Sequence, residues 1–248
     1  MAKKANEAGN RRATSSAQAH TLAIDVGGSG LKATVLGPRG KMLAERVRVE
    51  TPTGAHPDDI VAALVELVRP LPQYHRVAVG FPGVVRRGKV CTAPNLGHAD
   101  WSGFDLAGSL RLRLKKPVRL ANDADMQGSA VIRGKGVEMV ITLGTGFGTA
   151  LFEDGRLGPH LELAHHPFRK GQTYDQQLGN RARKKLGNKK WFKRVERAID
   201  NLRVLTHFDH LYVGGGNAKH IDPAVLPDGV SIVSNRAGLL GGHALWRS

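Results

Sequence analysis

The stretch Thr21-Leu22-Ala23-Ile24-Asp25-Val26-Gly27-Gly28-Ser29-Gly30-Leu31-Lys32-Ala33-Thr34-Val35-Leu36 decides how the rest of the chain is read. A short apolar run enters a glycine-rich turn and leaves it as a second extended run, and after the turn Pro38-Arg39-Gly40-Lys41 a third is expected over Met42–Glu50. The glycines therefore lead into a hairpin. In a dinucleotide-binding loop they must instead open a helix, whose N–H groups receive the pyrophosphate, so the order of elements excludes a Rossmann reading. About 118 residues later the design returns: MVITL from Met139, Gly144-Thr145-Gly146, the run Phe147–Glu153 and a polar turn at Asp154-Gly155. Strand, glycine turn, strand and polar turn repeat in the same order, which points to a duplicated domain.

Beyond this hairpin, His56–Leu71 carries Ile60, Ala63, Leu64, Leu67 and Val68 at helical spacing, with Pro57 and acidic residues in the first turn. Arg76–Gly83 reads as a buried strand ending in a Pro-Gly turn, and Pro117–Asp123 as a strand whose end delivers polar groups. The spacing predicts a helix over Asp125–Gly134, a strand running into Gly214-Gly215-Gly216, and a closing helix over Arg236–Trp246. Strands alternating with helices give an α/β class. Residues 1–20 are polar, small and charged without periodicity and are expected to be a disordered basic tail, with order beginning at Thr21.

Composition narrows the class further. The 248 residues carry 37 Lys and Arg against 21 Asp and Glu, a formal charge of +16, on a globular apolar content of 41%. One cysteine, Cys91, excludes an internal disulfide and a cysteine-based zinc site within the chain. No apolar run is long enough to span a membrane and the N-terminus has no apolar signal core, so a cytoplasmic protein is expected. The charge is local. Eleven basic residues fall between Arg169 and Arg197 against Asp175 and Glu196, and four fall in the first twelve residues against Glu7. Such a run is either a solvated helix face or a docking track for a polyanion. Only 3 Trp, 3 Tyr and 7 Phe, not interleaved with the basic residues, argue against a specific nucleic-acid binder.

Four groups of residues could carry chemistry. In Asp25, Gly27, Gly28, Ser29, Gly30 and Lys32, bare backbone N–H groups, a hydroxyl and an ammonium suit a phosphate, and Asp25 could position Mg²⁺ through water. A glycine hairpin with no ligand fits the same residues. Gly144, Thr145 and Gly146, continuing to Gly148, have the same capability, and the pairing of two such turns favours phosphate. In Asn122-Asp123, where a strand meets a helix, the carboxylate could take a proton from a substrate hydroxyl while Asn122 holds a neighbouring one; an N-cap is the competing role for Asp123. Glu162-Leu163-Ala164-His165-His166 offers acceptors and imidazoles suited to a ring of hydroxyls, whereas a metal site lacks a completing ligand at a familiar spacing.

In this order, DVGGSGLK, FPGVV, APNLG, NDAD, GTGFG, ELAHH and GGGNAK resemble the ROK sugar kinases, and within them the polyphosphate glucokinase branch, over about residues 21–247. The resemblance implies a fold of the actin, hexokinase and Hsp70 type, ribonuclease H-like. Its two α/β domains would cover residues 21–120 and 121–235 with a central cleft, and a C-terminal helix over 236–248 would return to the first. It places the catalytic base at Asp123 and sugar contacts at Asn95, Asn122, Glu162 and His165, with Pro82 and Gly83 on the pocket floor. The phosphate donor falls to the two glycine turns and to Gly214, Gly215 and Gly216. The implied activity is transfer of a phosphoryl group from inorganic polyphosphate to the 6-hydroxyl of glucose with Mg²⁺, in a homodimer. ATP-dependent or dual-donor hexose and mannose phosphorylation is the neighbouring possibility. A sugar-sensing repressor would carry a winged helix before this fold, which twenty residues cannot supply. Two departures stand out. Ala164 occupies the glycine of the family's E-x-G-H element, and His165–Trp191 stands in place of the cysteine-rich zinc motif, so no structural zinc is expected. Arg181, Lys184, Lys185, Lys189 and Lys190 are the expected polyphosphate track.

Overall fold

A computed structural model describes residues 18–52, 54, 56–94, 96–97, 99–234 and 237–246. The chain divides into two units; the first runs to Asn122 and takes in the chain again from Gly242, and the second is Asp123–Gly241. In the first unit β1 (Thr21–Gly27), β2 (Gly30–Leu36), β3 (Val47–Val49), β4 (Arg76–Phe81) and β7 (Val118–Asn122) form one sheet in the order β3-β2-β1-β4-β7. β1 pairs antiparallel with β2 and parallel with β4, and β4 is parallel to β7. In the second unit β8 (Val137–Leu143), β9 (Phe147–Glu153), β10 (Arg156–Leu157), β13 (His210–Gly214) and β14 (Val230–Ile232) take the order β10-β9-β8-β13-β14. The pairing directions are the same: β8 antiparallel to β9, parallel to β13, and β13 parallel to β14. Two units with one strand order and one set of directions are the structural form of the repeat read from the glycine hairpins.

The central strands are buried on both faces, which is why they read as unbroken apolar runs. Every residue of β4 is buried. Leu22, Ile24 and Val26 of β1 face Ile60, Leu64 and Leu67 of α1 (Pro57–Val68), and α2 (Leu106–Leu114) covers the same face through Leu106 and Leu110. Pro57 opens α1 behind the N-cap His56, whose Nδ1 accepts the Asp58 N–H. In the second unit Met139, Ile141 and Leu143 pack against α6 (Asn188–Thr206), which presents Trp191, Val195, Ala198, Ile199 and Leu202 at helical spacing. The indole of Trp191 donates to the Leu178 carbonyl at 2.8 Å. Short hairpins complete the strands: β5 (Val85–Arg86) with β6 (Lys89–Val90), and β11 (Pro167–Arg169) with β12 (Gln172–Thr173). α4 (Tyr174–Leu178), opened by a capping box at Thr173, leads into α5 (Asn180–Leu186). α7 (Ala237–Ala244) begins in the second unit and ends in the first.

Three expectations are corrected. The helix expected over Asp125–Gly134 is α3, Asp123–Gly128. It stops six residues early because Ala130 and Val131 bond back to Gln127 and Gly128, tightening the last turn, and the N–H groups of Arg133, Gly134 and Lys135 all go to the Glu138 carboxylate. The extended run over Met42–Glu50 shrinks to Val47–Val49 and an isolated bridge from Met42 to Leu36. Order begins before Thr21, since Ala19 is buried and the His20 N–H donates to Nδ1 of His75. The rest of the expected tail, residues 1–17, lies outside the described residues.

Candidate functional site

In the first unit the glycine turn closes β1 on β2 with Gly27 opposite Gly30. The register sets Asp25 opposite Lys32, and Lys32 opposite Arg48 of β3, so three charged side chains form one row beside the turn. Lys32 Nζ lies 2.8 Å from Asp25 Oδ2, and the Arg48 guanidinium reaches the Ser29 carbonyl at 3.4 Å. Arg48 was not among the residues singled out from the sequence. Its signal is the cross-strand register, which a sequence without pairing does not show.

Asn122 ends β7 and is buried; its Nδ2 donates to the carbonyls of Phe81 at 3.4 Å and Gly83 at 3.1 Å. It thereby fixes the Pro82-Gly83 turn at the end of β4. Asn95, the other expected sugar contact of this unit, lies outside the described residues.

In the second unit Asp123 opens α3, and its Oδ1 accepts the Ala124 N–H at 2.8 Å. The turn between β8 and β9 is braced from three sides. Gly144 N–H bonds the Gly146 carbonyl, the Asn180 N–H bonds the Gly144 carbonyl at 3.0 Å, and Asn217 Nδ2 bonds it at 2.9 Å. Asp175 Oδ1 accepts the Phe147 N–H at 2.7 Å and sits so close to Gly146 that a Cβ there would stand 2.0 Å from it. A side chain at Gly146 would therefore push the Asp175 carboxylate off the Phe147 N–H. Gly215, at φ +85°, lies against the Leu143 backbone, where a Cβ would come within 2.4 Å of the carbonyl oxygen. The Gly214-Gly215-Gly216 segment and the Gly144–Gly146 turn are thus neighbours, joined by Asn217.

Arg183 completes this arrangement and was unspecified within the basic run. Its guanidinium donates to Asn217 Oδ1, Asn180 Oδ1 and Asn188 Oδ1, each at 3.1 Å. Arg181, Lys184, Lys185, Lys189 and Lys190 are exposed on α5 and the start of α6, and among the described residues none of the five forms an ion pair.

Glu162 caps a 3-10 turn, Leu163–His165, without using its side chain for the cap. Its Oε2 lies 3.4 Å from His160 Nε2, and His160 Nδ1 lies 3.2 Å from Oδ2 of buried Asp125. Burial alone would lower the His160 pKa; the hydrogen bonds and charges of Asp125 and Glu162 outweigh it and raise it to about 9, so the ring is an imidazolium at neutral pH. Asp175 is held above the usual carboxylate range by burial, against the Phe147 N–H and the charge of His165, with Glu162 adding to the rise. These couplings bring Glu162, His165 and Asp175 into one neighbourhood. Ala164 is not at positive φ, so the methyl that replaces the family glycine meets no backbone strain. Among the described residues no group of three or more His, Cys, Asp or Glu could hold a metal ion.

The ROK family model matches residues 21–169. The polyphosphate glucokinase of Mycobacterium tuberculosis (strain CDC 1551 / Oshkosh) is 30% identical over 240 residues, covering 90% of each chain. The crystal structure of an inorganic polyphosphate/ATP-glucomannokinase from Arthrobacter sp. strain KM superposes with a TM-score of 0.82 at 32% identity, over 92% of this chain and 98% of that one. A ROK glucokinase from Streptomyces griseus, at 21% identity and a TM-score of 0.71 over 92% of this chain and 99% of that one, shares the fold. The duplicated hairpin sheets are therefore those of the actin and hexokinase type. Matched over 60% of its length by the family model and over nine-tenths by full-length relatives, this chain belongs to the ROK family.

Proposed function

We propose that the protein is a polyphosphate-dependent glucokinase. The sugar 6-hydroxyl gives its proton to Asp123, its oxygen bonds the terminal phosphorus of polyphosphate, and the bond from that phosphorus to the bridging oxygen breaks, leaving a chain one phosphate shorter. Such a transfer asks little covalent chemistry of the protein, so positioning and charge must lower the barrier. The family resemblance assigns the sugar to Asn122 in the first unit and to Glu162 and His165 in the second, and phosphate oxygens to the N–H groups of each unit's glycine turn, with Lys32 in the first.

The observation that carries the choice of donor is the density of unpaired positive charge on α5 and α6. The Asn180 N–H ties α5 directly to the Gly144 turn and Arg183 ties it there through Asn217, so the exposed cations continue from a phosphate loop. Arg194 adds to this: burial first and then the nearby Arg169 charge depress its pKa, and a bound polyanion would offset the second of these. The names of the Mycobacterium and Arthrobacter relatives, aligned along nearly the whole chain, support the same donor, and the latter's name adds ATP.

Mg²⁺ fits the residues present. It commonly keeps several waters and takes one or two carboxylates plus substrate phosphates, and Asp25 beside the first glycine turn supplies one such carboxylate, with Oδ2 engaged by Lys32. Bound there, the ion would neutralise charge on the donor phosphates. A cytoplasmic homodimer belongs to the same proposal, carried from the family resemblance. Among the described residues no helix is long and apolar enough to cross a membrane.

The test is formation of glucose 6-phosphate by the purified protein with long polyphosphate or ATP, each with and without Mg²⁺. Product with polyphosphate is expected; product with ATP alone would overturn the donor, and none with either would overturn the reading. Reversing charge in Lys184→Glu/Lys185→Glu is expected to raise the KM for long polyphosphate by roughly tenfold at low salt and to leave that for ATP nearly unchanged, since each lost cation weakens a polymeric anion most. Equal changes for both donors would remove the track.

A further inference from the structure

We propose that His160 is a positioning residue for the sugar site: anchored on buried Asp125, its ring fixes the direction of the Glu162 carboxylate. The inference rests on the reading of Glu162 as a sugar ligand.

Glu162 heads a 3-10 turn and makes no side-chain bond to the N–H groups of that turn. The carboxylate is turned to Nε2 of His160, two residues earlier on the segment that joins β10 to the turn. That segment is itself fixed: Thr149 of β9 donates its hydroxyl to the Leu161 carbonyl, and the Leu163 N–H bonds the same oxygen at 2.9 Å. The other face of the ring is set by Asp125, 5% exposed, whose carboxylate takes Nδ1 through both oxygens at 3.2 and 3.4 Å. Asp125 lies two residues beyond Asp123 on α3, so the base and the direction of the sugar-binding carboxylate are referred to the same short helix. An imidazolium between two carboxylates needs both nitrogens protonated, the state its raised pKa supplies. One oxygen of Glu162 is then committed to His160, and its orientation toward sugar hydroxyls is decided before substrate arrives.

His160→Ala is expected to raise the KM for glucose about tenfold and to leave the KM for polyphosphate within about twofold, with kcat less affected than the glucose KM. Glucose titrated against the protein in the absence of donor should show the same loss of affinity. In His160→Gln the amide nitrogen stands near the place of Nε2, and at least half of the lost affinity, on a logarithmic scale, should return. In a Glu162→Gln background the His160→Ala change should add little, because the residue acts through that carboxylate. Additive losses in the two backgrounds, or equal rises in both substrate KM values, would overturn the positioning role while leaving the kinase reading intact. A wild-type protein that forms no glucose 6-phosphate with either donor would overturn both.

Discussion

Asp123→Asn should leave a folded protein that binds glucose and turns it over roughly a hundredfold more slowly or worse, the scale on which a positioned general base contributes. The asparagine is the informative substitution. Asp123 opens α3 and its Oδ1 accepts the Ala124 N–H, and an amide oxygen can keep that bond while the side chain loses its ability to take a proton. Asp123→Ala removes both, so the alanine variant should also lose some stability, as N-terminal helix carboxylates do. The two roles first opposed to each other, cap and base, are in this way separable: the cap appears in the thermal midpoint of the alanine variant, the base in the turnover of both. Glucose KM should change far less than kcat, because the interaction lost is made in the transition state. The measurement is steady-state glucose 6-phosphate formation over a range of glucose with polyphosphate saturating. An Asp123→Asn protein with near-wild-type turnover would remove Asp123 from the mechanism.

The parts of the molecule legible in the sequence are those fixed by local chemistry. Both glycine hairpins could be read because glycines between apolar runs are a short-range signal, and their recurrence anticipated two sheets of one topology. α1 could be read for a similar reason, from the spacing of Ile60, Leu64 and Leu67. What escaped was set by partners distant in the chain. Asn217 reaches back 73 residues to the Gly144 carbonyl, and Arg183 reaches 34 forward to Asn217, so the brace behind the second turn has no sequence-local trace. His160 had one: it stands only two residues before Glu162, near enough along the chain for the two side chains to meet. Reading the element from Glu162 onward, by its likeness to a motif, left that histidine out. The early end of α3 was hidden for the opposite reason. Helical composition continues to Gly134, but a carboxylate in the next strand captures the N–H groups that the helix would have used.

That carboxylate gives the largest expected stability effect. Glu138 is 1% exposed, yet its Oε1 accepts the Arg133 N–H at 2.7 Å and the Tyr212 hydroxyl at 2.7 Å, and its Oε2 accepts the N–H groups of Gly134 at 2.6 Å and Lys135 at 3.1 Å. With Gly136 N–H on Asp154 and Val137 N–H on Asp209, five consecutive backbone donors are received by acidic side chains. The burial of Glu138 favours its neutral form, but the three N–H groups and the phenol outweigh it and hold its pKa below the usual range; the same contact, after burial, pushes Tyr212 up to about 12. Glu138→Gln keeps the shape and removes the solution. Whichever way the amide is turned, its NH₂ meets donors: Gly134 and Lys135 on one side, or Arg133 on the other, where only the Tyr212 hydroxyl can rotate to accept. A buried donor left facing a donor costs about 3 kcal/mol, or on the order of 10 °C in the thermal midpoint at pH 7. The pH dependence has a definite sign. A carboxylate whose folded pKa is lowered contributes its full stability above its unfolded pKa of about 4.3 and loses it as the pH falls through the folded value, so the gap between wild type and Glu138→Gln should stay level from pH 7 to about 5 and close below about 4. Melting followed by circular dichroism across that range reads both effects. A glutamine variant that melts with the wild type at pH 7, or a gap that widens in acid, would mean that the loop between α3 and β8 is held by something other than this carboxylate.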